Sequence, residues 1–222
     1  EKLTEIVLNE KKEKEKKKGK GDSYTSKFIE KYKPDKDLTK PSDHIIGACS
    51  SVGVNEQILD FIKEYGFGNY GEGIIKLIDP EDYMDSFYKW LGKEDYSRIP
   101  FMMTGFGDLF YFRNLGDGEY DISFLDIHYR NISVVAYTVE EFVEYLIDSE
   151  VEEKILRRKL FDEAKKKLGV MSLNEIYSCN SPTYLVAGLI ILPSYNLFST
   201  LCATQPIFLA TTKSGVYKSS GI

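Results

Sequence analysis

The sequence is poor in the residues that most often carry chemistry. Its 222 residues include three cysteines, two histidines and one tryptophan. Cys49, Cys179 and Cys202 are odd in number and far apart, and no C-x-x-C pair occurs. No Cys/His cluster has zinc spacing, so a metal site is not expected and a reduced, cytoplasmic setting is. His44 and Cys49 lie five residues apart in a segment that reads as loop, which is no nucleophile–base geometry. P-loop, H-E-x-x-H and G-x-S-x-G patterns are missing, as is any internal repeat. Long apolar runs are missing too. The continuous stretch Leu185 to Leu192 falls far short of the ~20 residues of a spanning helix. Charge throughout the N-terminal segment leaves no signal-peptide pattern.

What is abundant is aromatic and acidic. Phe, Tyr and Trp make up 14% of the chain, nearly all of it Tyr and Phe, against a hydrophobic fraction of 42%. A sizeable core is therefore expected, with tyrosine on half-buried sheet faces and binding surfaces. The net charge of −6 is uneven. The first twenty residues hold eight lysines and five acids, a net of +3, which leaves −9 for the rest. An acidic globular part repels phosphate and argues against nucleic acid as a direct ligand, while it suits a basic partner.

The order of elements predicts an α+β fold, a mostly antiparallel sheet with helices packed on it. Residues 1–22 read as a charged tail or linker, Lys/Glu-mixed and closed by glycines. A short helix is expected at "SYTSKFIEKY", closed by Pro34, and then loop as far as Gly53. In "VNEQILDFIKEYG", Asn55 can cap a helix whose Ile58, Phe61, Ile62 and Tyr65 fall at i, i+3, i+4 and i+7. A short strand "GIIKLID" follows. Pro80 then opens a helix that Gly92 ends. "IPFMMT", "DLFYF", "YDISFLDIHY" and "ISVVAY" read as a meander of hairpins. The stretch from Thr138 to Gly169 reads as one broken helix or two consecutive ones, opened by a Thr138/Glu141 capping box. No charged residue occurs from Ile176 to Thr212, and buried strands are expected there before any membrane segment.

Gly66 to Gly71 fits G-x-G-x-x-G, the pattern of a dinucleotide loop. Such a loop must leave a strand and enter a helix, so that the helix N-terminus faces the pyrophosphate. Here the glycines leave a helix and enter a strand, and Glu72 would repel phosphate. A helix cap followed by a tight turn is expected instead, and no cofactor.

The string "ILDFIKEYGFGNYGEGIIKLIDPEDYMDSFYKWLG" resembles the GAD-like domain of bacterial immunity proteins. It has that family's order: a helix ending in aromatic-glycine, a glycine-rich turn, a strand, and Asp-Pro opening a helix. "FMMTGFGDLFYF" and "LFDEAKKKLGVMSLNEIY" resemble the domain that follows it in type VI secretion DNase immunity proteins. The resemblance runs from about Phe28 to Tyr177. It implies a GAD-like domain over 23–98, an immunity-protein C-terminal domain over 99–178, and a tail over 179–222 outside the family pattern. Only Pro182 aligns in that tail. The resemblance further implies a non-enzymatic cytoplasmic protein whose partner is a cognate toxin domain, with neither nucleic acid nor membrane bound directly. The alternative is a small-molecule or nucleotide-sensing regulatory domain built on the aromatic-glycine turn.

Two sets of residues are candidates for the partner surface. In "TVEEFVEYLIDSEVEE", Phe142, Val143, Leu146, Ile147 and Val151 make an apolar stripe. Glu140, Glu144 and Asp148 follow at i, i+4 and i+8 on another face, with Glu141 beside them. Such a row is either a solvated face or an electrostatic mimic of nucleic acid offered to a basic nuclease. Phe67 and Tyr70, around the glycine turn, are the second set. On a continuous strand Asp126, His128 and Arg130 would share a face, either solvated or an acid–base site. Asp79, Glu81 and Asp82 suit the N-terminus of the helix after Pro80 better than a metal.

Overall fold

The computed structural model describes residues 24–179 and the strand 189–193. A helix over residues 24–31 (α1) opens it. There follow α2 (Asp43–Ser51), α3 (Glu56–Tyr65), β1 (Gly68–Tyr70), a 3-10 turn (Gly71–Gly73), β2 (Ile75–Leu77) and α4 (Pro80–Leu91). Four longer strands come next: β3 (Arg98–Thr104), β4 (Leu109–Gly116), β5 (Glu119–Asp126) and β6 (Asn131–Ala136). Three helices follow, α5 (Val139–Ile147), α6 (Ser149–Lys154) and α7 (Arg158–Leu168), and then β7 (Glu175–Cys179) and β8 (Leu189–Pro193). The fold is α+β.

Strands β1 to β6 form one antiparallel sheet in sequence order, and β7 pairs antiparallel with β8. The sheet runs across the boundary expected at 98/99, because β2 pairs directly with β3 through Ile75↔Thr104 and Leu77↔Met102. Pro100 is accommodated in β3 at a bulge between Pro100 and Met102, beyond the end of β2, where its missing N–H leaves no ladder position empty. One face of the sheet carries the larger core. There Phe101, Phe110 and Phe124 meet Phe28 of α1, Ile58 and Ile62 of α3, Phe142 and Leu146 of α5 and Phe161 of α7. On the other face Phe87 and Trp90 of α4 meet Met103, Leu109, Tyr111 and Leu125, with Ile176 of β7.

Local chemistry accounts for most element ends. The Asn55 side chain accepts from Gln57 N, Asp79 from Glu81 N with Pro80 in the first turn, and Thr138 from Glu141 N. The glycine run is a packing device. Gly66 caps α3 at φ +93°, and a Cβ there would lie 2.8 Å from the Thr39 carbonyl oxygen. Gly71, at φ +57°, would put a Cβ 2.9 Å from the Tyr32 ring. Without side chains at these points, the segment after α1 lies along β1, with Thr39 and Phe67 exchanging backbone hydrogen bonds of 2.8 Å. The order is helix, strand, 3-10 turn, strand, so no helix N-terminus faces the glycines.

Four expectations are corrected. The loop expected through Gly53 contains α2, capped by the Ser42 side chain accepting from Ile45 N. The turn expected at Phe67–Gly73 contains strand β1, which exists because β2 and the segment after α1 pair on its two sides. The broken helix is three helices, because the Asp148 carboxylate caps α6 at Glu150 N and Val151 N, and Arg157 adopts a left-handed conformation before α7. Strand β5 stops at Asp126, so His128 and Arg130 lie in the turn to β6 rather than on a shared strand face. The expected charged tail of 1–22, and most of the uncharged tail from 179 onward, lie outside the described residues.

Candidate functional site

The acidic row is held in place by α1. At one end the Tyr24 hydroxyl donates to Glu140 Oε1, and that carboxylate raises the Tyr24 phenol to about 12. At the other end Tyr32 donates to the Leu146 carbonyl at 2.7 Å, and Lys31 to the Ile147 carbonyl at 2.8 Å. These are carbonyls that the end of α5 leaves without a helical partner, and a lysine there also suits the helix dipole. Helix α1 thus runs alongside α5 in the same direction. Phe142, Val143 and Leu146 are buried beneath it, while Ile147 and Val151 are half-buried. The apolar stripe and the acidic row fall on separate faces, as the spacing predicts.

The acids themselves divide by duty. Glu141 closes the start of α5, accepting from Tyr137 N at 2.8 Å while its own N–H bonds Thr138 Oγ1 at 3.1 Å. Asp148 caps α6. Glu150 pairs with Lys154, Glu153 with Lys159, and Glu152 with both Lys31 and Arg158. Glu144 is exposed on the outer face. On the outer side Glu141, Glu144 and Asp148 are exposed and Glu140 is half-buried against Tyr24, while the acids of α6 are paired with basic residues of the chain.

The aromatic pair lies elsewhere and inside. Phe67 is 4% exposed and Tyr70 0%, and Tyr70 donates to the Gly66 carbonyl at 2.8 Å and packs on Phe28. Their rings belong to the core beneath α1, and a partner on the surface would not meet them.

The second concentration of charge is buried. Arg157 bonds Asp108 Oδ2, reaches Asp126 Oδ2 at 3.4 Å and stacks over the Phe106 ring. Asp108 also accepts from Ile127 N at 3.1 Å and Thr104 Oγ1 at 3.2 Å. Asp126 Oδ1 takes the amides of His128 and Tyr129. His128 Nε2 lies 3.0 Å from the Phe106 carbonyl and 3.9 Å from Asp108 Oδ1. Burial and the neighbouring Asp108 push the Asp126 carboxyl up. This hub ties the β3–β4 turn, the β5–β6 turn and the α6–α7 junction together. Its hydrogen bonds are spent on backbone and on one another, which is the signature of a brace. The shared strand face expected of Asp126 and His128 is replaced by a turn, in which the Asp126 carboxylate accepts from the His128 amide. Arg157 and Asp108, 49 positions apart, carry no sequence signal that joins them.

The remaining candidates stay apart. Cys49 is buried in α2, and burial raises its thiol to about 11, which leaves it an inert neutral group. His44 faces solvent near Glu81. Among the described residues no group of three or more His, Cys, Asp or Glu is placed to hold a metal ion. No helix among them is long and apolar enough to cross a membrane.

Comparison with known proteins follows the same lines. The chain's fold is similar to that in the crystal structure of Atu4351 from Agrobacterium tumefaciens, with a TM-score of 0.63 and 15% identity, covering 82% of this chain and 89% of that one. At that identity the likeness is one of fold. No curated protein matches. The family model of the GAD-like domain matches residues 23–123, a span that takes in α1 to α4 and most of the six-stranded sheet. Over that span the chain is similar to the GAD-like domain family.

Proposed function

We propose that this is a bacterial immunity protein of the type VI secretion kind, a cytoplasmic, non-enzymatic binder that neutralises a cognate toxin. The toxin would be a nuclease with a basic substrate surface. One observation supports this above the others: Glu140, Glu141, Glu144 and Asp148 line the outer side of a helix junction whose opposite side buries Phe142, Val143 and Leu146 in the core. A row of carboxylates on a rigid helix offers a DNA-binding surface the charge pattern it is built to meet. Sequence resemblance in the region after residue 98 supports the same reading, and so does the acidic balance outside the first twenty residues.

The test uses the full chain and the protein encoded by the neighbouring gene. Calorimetry should give a stable complex, and the chain should protect cells that express that neighbour. A neighbour without toxicity, or with toxicity that the chain neither binds nor blocks, would contradict the proposal. The sensing alternative predicts stabilisation by a metabolite at the glycine turn. The burial of Phe67 and Tyr70 gives that alternative no surface to work with.

A further inference from the structure

Lys76 is a charged residue type in a place where charge is costly. It sits in the middle of β2, 0% exposed, on the face opposite Ile75 and Leu77. Its Nζ donates to Asn69 Oδ1 at 3.0 Å, to the Ser172 carbonyl at 2.8 Å and to the Leu173 carbonyl at 3.3 Å. Asn69 donates in turn to the Met171 carbonyl at 3.4 Å. The segment between α7 and β7 is therefore fastened to β1 and β2 by two side chains, one of them an amine that lies within hydrogen-bond distance of three oxygen acceptors. Two acids face that amine, Glu175 of β7 and Asp35 of the segment after α1, and both favour its charged form. Burial outweighs them and pushes the amine down to about 7.

We propose that Lys76 is an acid-released clamp on the segment 171–175, through which pH sets how tightly the β7–β8 hairpin is held to the six-stranded sheet. When the segment lifts, the amine enters water and takes up a proton that the closed state disfavours. Opening is therefore coupled to proton uptake, and the closed state gains as pH rises from about 7 towards the ordinary lysine value of about 10.5. Below about 7 both states are protonated and the dependence flattens. The clamp acts at the far side of the sheet from the acidic row and stands whether or not a toxin is bound there.

Amide hydrogen exchange on the full chain reads this directly. After correction for intrinsic exchange, protection at Glu175 to Tyr177 should rise about tenfold per pH unit between pH 7 and 9 and level off below pH 7. Lys76→Met should abolish that slope. Protection that does not change with pH, or a slope retained in Lys76→Met, overturns the clamp. An equal rise at the amides of β4 and β5 also overturns it, since that would mark global unfolding rather than local release. Should Lys76→Met fail to fold, the carbon-13 shift of Lys76 Cε in the wild-type chain decides. A titration midpoint near 7 is expected, and a midpoint above 10 would contradict the proposal.

Discussion

The α5–α6 face and the Asp108–Arg157–Asp126 hub are made of the same kinds of side chain, yet they do opposite work. On the helix face most carboxylates stand in water, and they bond to nearby backbone, to lysines, to Arg158 or, for the half-buried Glu140, to the Tyr24 hydroxyl. In the hub two carboxylates and a guanidinium are taken out of water and fix three chain connections to one another. An exposed charge costs the fold little and reaches outward through its field, so its natural effect is on partners. A buried charge has no outward reach, and its removal leaves another charge without a partner. The same residue types can thus be sorted by burial into those that could recognise and those that hold.

That contrast can be broken at several points. The largest effect is expected in the hub. Asp108→Ala takes from the buried Arg157 its shorter carboxylate contact, leaving Asp126 at 3.4 Å, and should cost roughly 3–5 kcal/mol in denaturant unfolding. Arg157→Ala should cost a similar amount, and the two together less than their sum. Additive losses would show that the pair is not a unit. Next comes the apolar side of the acidic helix. Leu146→Ala opens a cavity between α1, α5 and the sheet and should cost about 2–5 kcal/mol. A loss under about 1 kcal/mol would mean that α5 is not packed as described. Thr138→Ala removes the cap of α5 and should cost about 1 kcal/mol, most of which Thr138→Asp should restore. The smallest effect belongs to the row itself. Glu144→Gln should shift stability by no more than about 0.5 kcal/mol, as expected for a surface carboxylate. A larger loss would place Glu144 among the residues that hold.

Much of this layout was legible in the sequence, and the parts that were not share a cause. Asn55, Asp79 and Thr138 announce their helices because a cap is a contact over two or three residues. The meander from β3 to β6 is likewise read from strand-like runs separated by short turns, the first two of them bearing glycine. Helix α2 escaped because it buries only Cys49 and so shows little apolar periodicity. Strand β1 escaped because Gly68 and Asn69 disfavour strands, three residues are too few to show an alternation, and the pairing depends on neighbours distant in sequence. At the candidate site the separation of apolar stripe and acidic row came from spacing alone. The duties of Glu141 and Asp148 at helix starts were half visible, since the Thr138/Glu141 box was expected and the break at Asp148 was not placed. Phe67 and Tyr70 looked available because glycine-rich turns usually lie at the surface, and here α1 covers the turn. The hub was hidden because Asp108 and Arg157 lie 49 positions apart and are brought together only by the tertiary fold.

The central proposal is that the outward carboxylates of α5 and its junction act on encounter with a partner, beyond the caps that Glu141 and Asp148 supply. It is tested most directly by the association rate with the neighbouring gene's product. The wild type is compared with a chain carrying Glu140→Gln, Glu141→Gln, Glu144→Gln and Asp148→Asn, at low and at high salt. Gln and Asn keep both caps, so the two chains should unfold alike. The account predicts that the neutralised chain associates at least tenfold more slowly at low salt and at nearly the wild-type rate at high salt. Equal rates at both salt concentrations, with the complex still formed, would contradict it and move the partner surface away from this helix.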